Sequence, residues 1–193
     1  DRSKEIAAQL SRGVKHLLSK NNVTVFESLG SLKDKNTVVI EVDGKKSSIY
    51  ADNLIIATGA RAREIKGVES DGDLIWNYRH ALRPERMPKK MLVVGSGAIG
   101  VEFASFYNSL GCDVTIIELL DRILPNEDKD IANYAKNEFE SKGITIYEST
   151  KVIKIKKEKN LVVVDLEVLG KLKKNEFDTI IMATGIVGNI DGI

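Results

Sequence analysis

Met91-Leu92-Val93-Val94-Gly95-Ser96-Gly97-Ala98-Ile99-Gly100 is the stretch on which the fold turns. Its first four residues read as a buried strand, and they run without a break into the pattern G-x-G-x-x-G. Beyond it, Ile99, Phe103, Phe106 and Leu110 recur at spacings of 4, 3 and 4, which places them on one face of a helix over Ala98 to Leu110. Glycine-rich patterns are common, but strand, turn and helix in this order form the context in which one receives a dinucleotide. In such a turn Gly95 permits the tight backbone and Gly97 leaves room where a pyrophosphate sits. Gly100, helped by Ala104, lets the helix pack against the strand. The helix N-terminus then faces the phosphates with its free N–H groups.

The next predicted strand, Asp113 to Glu118, ends in an acid 21 residues beyond Gly97. A carboxylate about 20 residues on holds the adenosine ribose hydroxyls in folds of this kind, and its charge repels a 2′-phosphate. The spacing therefore predicts NAD(H) rather than NADP(H). Arg122, just beyond, is expected to form a surface ion pair with a neighbouring acid rather than to bind a phosphate. Glu102, one turn into the helix, is either a solvated residue or a cofactor contact.

Working outward, Ile6, Leu10, Val14, Leu17 and Leu18 predict an amphipathic helix from Ser3 to Lys20, stopped by Asn21 and Asn22. Val23 to Leu29, Thr37 to Val42, Ser47 to Ala51 and Leu54 to Ala57 read as short strands, with Asp43-Gly44 turning one hairpin. A loop rich in glycine and charge, Arg61 to Asp73, leads through Trp76, Pro84 and Pro88 to the glycine-turn strand. Lys129 to Ser141 reads as a further helix, Ile144 to Glu167 as a second β-rich stretch, and Thr179 to Ala183 as a last strand. Two segments share the pattern Asp-x-apolar-Ile-apolar-Ala-Thr-Gly, Asp52 to Gly59 and Asp178 to Gly185, 126 residues apart. Each follows a polar meander with its own turn, so the chain reads as parts of two related units that meet between residues 61 and 75. An apolar run ending in small residues suits a buried parallel strand whose C-terminal end admits a ligand.

Composition narrows the function classes. Lys+Arg at 29 against Asp+Glu at 28 leaves a net charge of +1, which argues against nucleic acid or an anionic membrane as partner. No apolar run approaches the roughly 20 residues of a membrane span. A single cysteine, Cys112, excludes an intrachain disulfide and dithiol chemistry within these residues, and it is expected to be buried and inert. With His16 and His80 as the two histidines, a histidine-based metal site is not expected. His80 and Glu85 have the spacing of an oriented base, but they lie on a connecting segment and read as structural. Lys154 to Lys159 and Lys171 to Glu176 read as solvated hairpin faces.

Gly95 to Tyr107 (GSGAIGVEFASFY), Asp121-Arg122-Ile123-Leu124-Pro125 and both Ala-Thr-Gly segments together resemble the pyridine nucleotide-disulfide oxidoreductases, over nearly all of the 193 residues. The resemblance implies an α/β fold in which an FAD domain is split by an inserted NAD domain. Residues 1–66 would be the rear part of the FAD domain, a remnant of helix and β-meander. Residues 67–187 would be the NAD domain, a Rossmann-like parallel sheet with its own β-meander, and 188–193 the start of the return to the FAD domain. It further implies that Gly95, Ser96, Gly97, Ala98, Ile99, Gly100, Val101 and Glu102 bind NAD, with Glu102 by the nicotinamide. Glu118 would hold the adenosine ribose, and Val152 and Gly185 would line the adenine side. Gly30, Thr58, Gly59 and Ala60 would contact the adenine half of FAD in the parent protein.

The parent implied by this resemblance is a homodimeric enzyme of the bacterial cytoplasm or mitochondrial matrix. It oxidises dihydrolipoyl groups of 2-oxoacid dehydrogenase complexes, through a disulfide and FAD, to reduce NAD. The N-terminal FAD glycine turn, the redox Cys-x-x-x-x-Cys and the C-terminal His-x-x-x-x-Glu base are absent from these residues. With Asp1 in place of an initiating Met, the chain reads as an internal piece, by itself inactive, monomeric and free of flavin. The alternatives are the NAD domain of another flavin disulfide reductase or of an NADH oxidase, and a free-standing, non-catalytic NAD-binding module.

Overall fold

A computed structural model describes residues 2–193. The chain divides into two compact units, one running to Thr58 and including Ile190–Ile193, the other spanning Gly59–Asn189.

The first unit opens with α1 (Arg2–Lys20), which ends where the asparagines predict. Asn22 takes a left-handed backbone, φ 56°, and the Val23 N–H returns to the Leu18 carbonyl at 3.0 Å. Strands β1 (Gly30–Asp34), β2 (Thr37–Val42) and β3 (Lys45–Tyr50) form an antiparallel meander. Asp43 and Gly44 both have positive φ, 51° and 73°, the type I′ turn that suits a two-residue hairpin. Two predicted strands do not form. Val23 to Leu29 is irregular, and only the Ser28 hydroxyl reaches the meander, donating to the Glu41 carbonyl at 2.6 Å. Leu54 to Ala57 is also irregular, with Ile55 93% exposed. A strand needs a neighbour to take its N–H and C=O groups, and no described residue pairs with either run.

The second unit comprises β4 (Ala60–Ala62), β5 (Ile75–Trp76), α2 (Tyr78–Ala81), β6 (Lys90–Val94), α3 (Ala98–Ser109), β7 (Asp113–Ile117) and α4 (Lys129–Ser141). It continues with β8 (Thr145–Tyr147), β9 (Thr150–Lys157), β10 (Val162–Val168), β11 (Lys171–Phe177), β12 (Thr179–Met182) and β13 (Ile186–Gly188). A parallel sheet of order β5-β12-β6-β7-β8 stands at its centre. Its strands are almost wholly apolar because both faces are covered. On one face Leu92, Val94, Ile117, Ile180 and Met182 meet Val162, Val164, Leu166 and Phe177 of the β9-β10-β11 meander. On the other, Met91, Val93, Val114, Ile116 and Ile181 meet Val101, Ala104 and Tyr107 of α3, with Trp76 and Phe139 filling the flank. Asp178, at the head of the second repeat, accepts from the Lys89 and Lys90 N–H groups at 2.8 and 2.9 Å and so sets β6 beside β12.

At the edge of this compact unit β4 pairs antiparallel with β13, and the Arg63 N–H donates to the Gly185 carbonyl at 3.0 Å. Helix α2 forms where no periodic apolar run predicts one. Asn77 caps it by accepting from the Arg79 N–H, while His80 Nδ1 accepts from the Asn77 N–H at 3.2 Å. His80 therefore works as part of a helix cap.

Candidate functional site

The glycine turn is closed by three contacts. Gly95 has φ 98° and donates its N–H to the Ile117 carbonyl at 2.9 Å, which ties the end of β6 to β7. A Cβ on Gly95 would stand 2.6 Å from the Ala183 carbonyl oxygen. A Cβ on Gly100 would collide with the Gly95 carbonyl oxygen and stand 3.3 Å from the Ala183 Cβ. The alanine of the second Ala-Thr-Gly is thus small because it wedges against the turn, a packing role that the repeat alone did not disclose.

Gly97 is the opposite case. It is the N-cap of α3 and makes no side-chain cap hydrogen bond, and a Cβ placed there would meet nothing within 4 Å. Helices α2 and α4, by contrast, are capped by the side chains of Asn77 and Asp128. The first turn of α3 therefore presents uncapped N–H donors, at the positive end of the helix dipole, to open space. That arrangement receives an anionic group, and the residues present fit a pyrophosphate.

Glu118 follows directly on β7 and is only 8% exposed. Its N–H donates to the Tyr147 carbonyl and its own carbonyl accepts from the Thr150 N–H, both at 2.8 Å. Its Oε2 accepts from the Ser96 N–H at 2.9 Å and the Ser96 hydroxyl at 2.6 Å, and its Oε1 accepts from the Leu120 N–H at 3.0 Å. The acid and the glycine turn, read from sequence as separate features, are in direct contact.

Beyond the acid, the Leu124 N–H donates to the Ser96 carbonyl at 3.0 Å, with Leu124 held at φ 47°. The Ile123 N–H donates to Glu148 Oε1 at 3.1 Å, and Glu148 also pairs with Lys136 at 2.5 Å. Arg122 departs from its expected role. It forms no surface ion pair but folds back on its own loop, Nη2 donating to the Pro125 carbonyl at 3.0 Å while Nε is buried without a partner.

The other positions named from the sequence differ in exposure and in the unit to which they belong. Ala98 and Glu102 are exposed, Ile99 is half-buried, and Val101 points into the core beneath α3. Val152 packs against the core between sheet and meander, and Gly185 is exposed after β12 with φ 104°. Gly59 and Ala60 open the second unit, whereas Gly30 and Thr58 belong to the first. Cys112 is buried, and burial pushes its thiol up to about 11, which leaves it protonated and poorly nucleophilic at neutral pH. A hollow of about 650 Å³ in the second unit lies away from the glycine turn, between Asp71, Trp76, His80 and Arg86. No group of acids, histidines or cysteines suited to a metal ion occurs among the described residues, and no helix there is long and apolar enough to cross a membrane.

The chain is 42% identical to the dihydrolipoyl dehydrogenase of Zymomonas mobilis over its full length, and spans 42% of that protein. The crystal structure of LpdA from Mycobacterium tuberculosis superposes with a TM-score of 0.88 at 28% identity, covering 99% of this chain and 42% of that one. The HOCl-induced flavoprotein disulfide reductase RclA from Escherichia coli gives 0.85 at 25% identity, covering 100% and 43%. The chain thus spans less than half the length of these relatives. With a family model described as pyridine nucleotide-disulphide oxidoreductase matching residues 1–193, the chain belongs to the pyridine nucleotide-disulphide oxidoreductases.

Proposed function

We propose that residues 67–187 form the NAD(H)-binding domain of a dihydrolipoyl dehydrogenase, and that residues 1–66 and 188–193 belong to its FAD domain. The observation that carries the cofactor reading is the uncapped, glycine-lined start of α3 lying against the Glu118 carboxylate. In this reading Gly97 to Gly100 hold the pyrophosphate through backbone N–H groups, and Glu118 accepts from an adenosine ribose hydroxyl. Glu102, exposed one turn into α3, is on hand for the nicotinamide end, and Val152 and Gly185 for the adenine end. When bound, NAD supplies the acceptor for a hydride. What these residues contribute is binding, orientation and selection of the cofactor without a 2′-phosphate.

The parent's substrate is proposed to be the dihydrolipoyl group of 2-oxoacid dehydrogenase complexes, on the strength of the likeness to the Zymomonas protein. Gly30, Thr58, Gly59 and Ala60 are proposed FAD contacts of that parent, which is read as a homodimer of the bacterial cytoplasm or mitochondrial matrix. A second reading, another flavoprotein disulfide reductase, is favoured by the likeness to RclA. Assay of the intact protein with dihydrolipoamide separates the two, since activity only on another disulfide overturns the first.

Calorimetric titration with NADH and NADPH tests the site itself. NADH is expected to bind with discrimination against NADPH. Glu118→Ala is expected to cost NADH about 1.5–3 kcal/mol for the charge-assisted hydrogen bond removed, and to narrow the preference. An unchanged preference in Glu118→Ala overturns the role assigned to this acid.

A further inference from the structure

We propose that Ser96 is a positioning residue that sets the cofactor preference of this site through Glu118, and does not itself touch the cofactor. The inference rests on the dinucleotide reading above and adds to it what fixes the selectivity. Ser96 is 0% exposed, and each of its polar groups is engaged inside the fold. Its N–H and its hydroxyl both donate to Glu118 Oε2, at 2.9 and 2.6 Å, and its carbonyl accepts from the Leu124 N–H at 3.0 Å. A side chain enclosed in this way has no surface to offer a ligand.

It does hold the carboxylate. An ionised carboxylate has about four acceptor positions. Three donors from the chain, Ser96 N–H, Ser96 hydroxyl and Leu120 N–H, fix both oxygens of Glu118 and leave the remaining capacity for an incoming hydroxyl. Of the three, the hydroxyl bond is the shortest and the only one made by a side chain. Selection between a free ribose diol and a 2′-phosphate depends on where the carboxylate stands. Held in place, it accepts from the diol and repels the phosphate; swung aside, it does neither. Ser96 lies inside the phosphate-binding turn, 22 positions before the acid, so the element that would fix the pyrophosphate also registers the group that would read the ribose.

The test uses the intact protein carrying this chain. Ser96→Ala and Ser96→Gly, each with and without Glu118→Ala, are titrated calorimetrically with NADH and with NADPH. With Glu118 present, loss of the hydroxyl is expected to lower the ratio of NADH to NADPH affinity roughly tenfold, as the loss of one hydrogen bond to a charged group implies. With Glu118→Ala in place, the same substitutions are expected to leave the ratio unchanged. An equal fall in both affinities with a constant ratio shows mere damage to the turn and overturns the proposal. So does an equal shift of the ratio with and without Glu118, because Ser96 would then act on the ribose directly. If the unsubstituted protein binds neither dinucleotide, the dinucleotide reading falls and takes this inference with it. If it binds NADH selectively and Ser96→Ala leaves the ratio untouched, only this inference falls.

Discussion

The unit ending at Thr58 and the unit from Gly59 to Asn189 are built from the same parts, yet they bury very different amounts of apolar surface. Each has a three-stranded antiparallel meander and a two-residue turn with both φ values positive, followed by an Asp-x-apolar-Ile-apolar-Ala-Thr-Gly segment, the first copy of which ends on Gly59 at the start of the second unit. In the second unit that segment forms β12, a fully buried strand of a parallel sheet covered on both faces. In the first, the corresponding run is irregular and Ile40 is the one buried apolar side chain among the described residues. Helix α1 buries nothing, although its Ile6, Leu10, Val14 and Leu17 form as regular a stripe as any helix here. Amphipathic pattern is a property of a segment; burial is a property of a segment and its partner. The second unit contains the partners for its own strands, and the first contains few.

Leucine truncation should separate the two units most strongly. Leu166→Ala, in the core between meander and sheet, is expected to cost about 2–5 kcal/mol in urea unfolding of this chain. Leu10→Ala, at a position 68% exposed, is expected to change stability by less than about 0.5 kcal/mol. A loss at Leu10 as large as that at Leu166 would mean that the α1 stripe is buried in solution. Glycines give the next largest contrast. Gly100→Ala drives a Cβ onto the Gly95 carbonyl, backbone against backbone, and is expected to cost about 1–3 kcal/mol and to abolish NADH binding. Gly13→Ala meets nothing within 4 Å in the middle of α1 and is expected to gain about 0.5–1 kcal/mol of helix stability, readable in thermal melts.

Acid should also act on the two units differently. Burial raises the Asp71 pKa, but the Lys157 ammonium at 2.8 Å and the N–H groups of Ile75 and Asp73 outweigh it and hold the carboxyl below its ordinary value. A carboxyl lowered by folding stabilises the protein above its unfolded pKa, about 3.9, and the contribution is lost as pH falls through the lower folded value. Asp71→Asn should therefore lower stability by a constant amount from about pH 5 to 7, a gap that closes below about pH 4. In the first unit, Lys15 and Glu27 pair at 2.8 Å with both side chains mostly exposed, and Glu27→Gln should leave the acid unfolding curve where it was. A steeper acid limb lost with Glu27 than with Asp71 would reverse the assignment. The smallest effect concerns the two turns. Leu169 sits at φ 50°, where Asp43 sits at 51°; a leucine tolerates that region poorly and an aspartate well. Leu169→Asn should stabilise the β10-β11 hairpin by about 1 kcal/mol, and Asp43→Asn should be neutral.

Features that depend on local backbone preference and on period are legible along the chain. The strand, glycine turn and helix at Lys90–Ser109 follow from apolar runs and glycine positions, and α4 spans the Lys129–Ser141 that its pattern predicts. The Asp43-Gly44 turn and the asparagine stop of α1 are equally local. Spacing alone put an acid at the end of the second strand. Only the tertiary structure decided that this acid is held by Ser96, that Ala183 wedges the glycine turn, and that Arg122 folds onto Pro125 rather than pairing with an acid. It also decided that Leu54 to Ala57 lacks the neighbours that make Thr179–Met182 a strand. The physical reason is common to all of these: a hydrogen bond or a buried face is completed by a group many residues away, and periodicity records which way a side chain points but not what meets it.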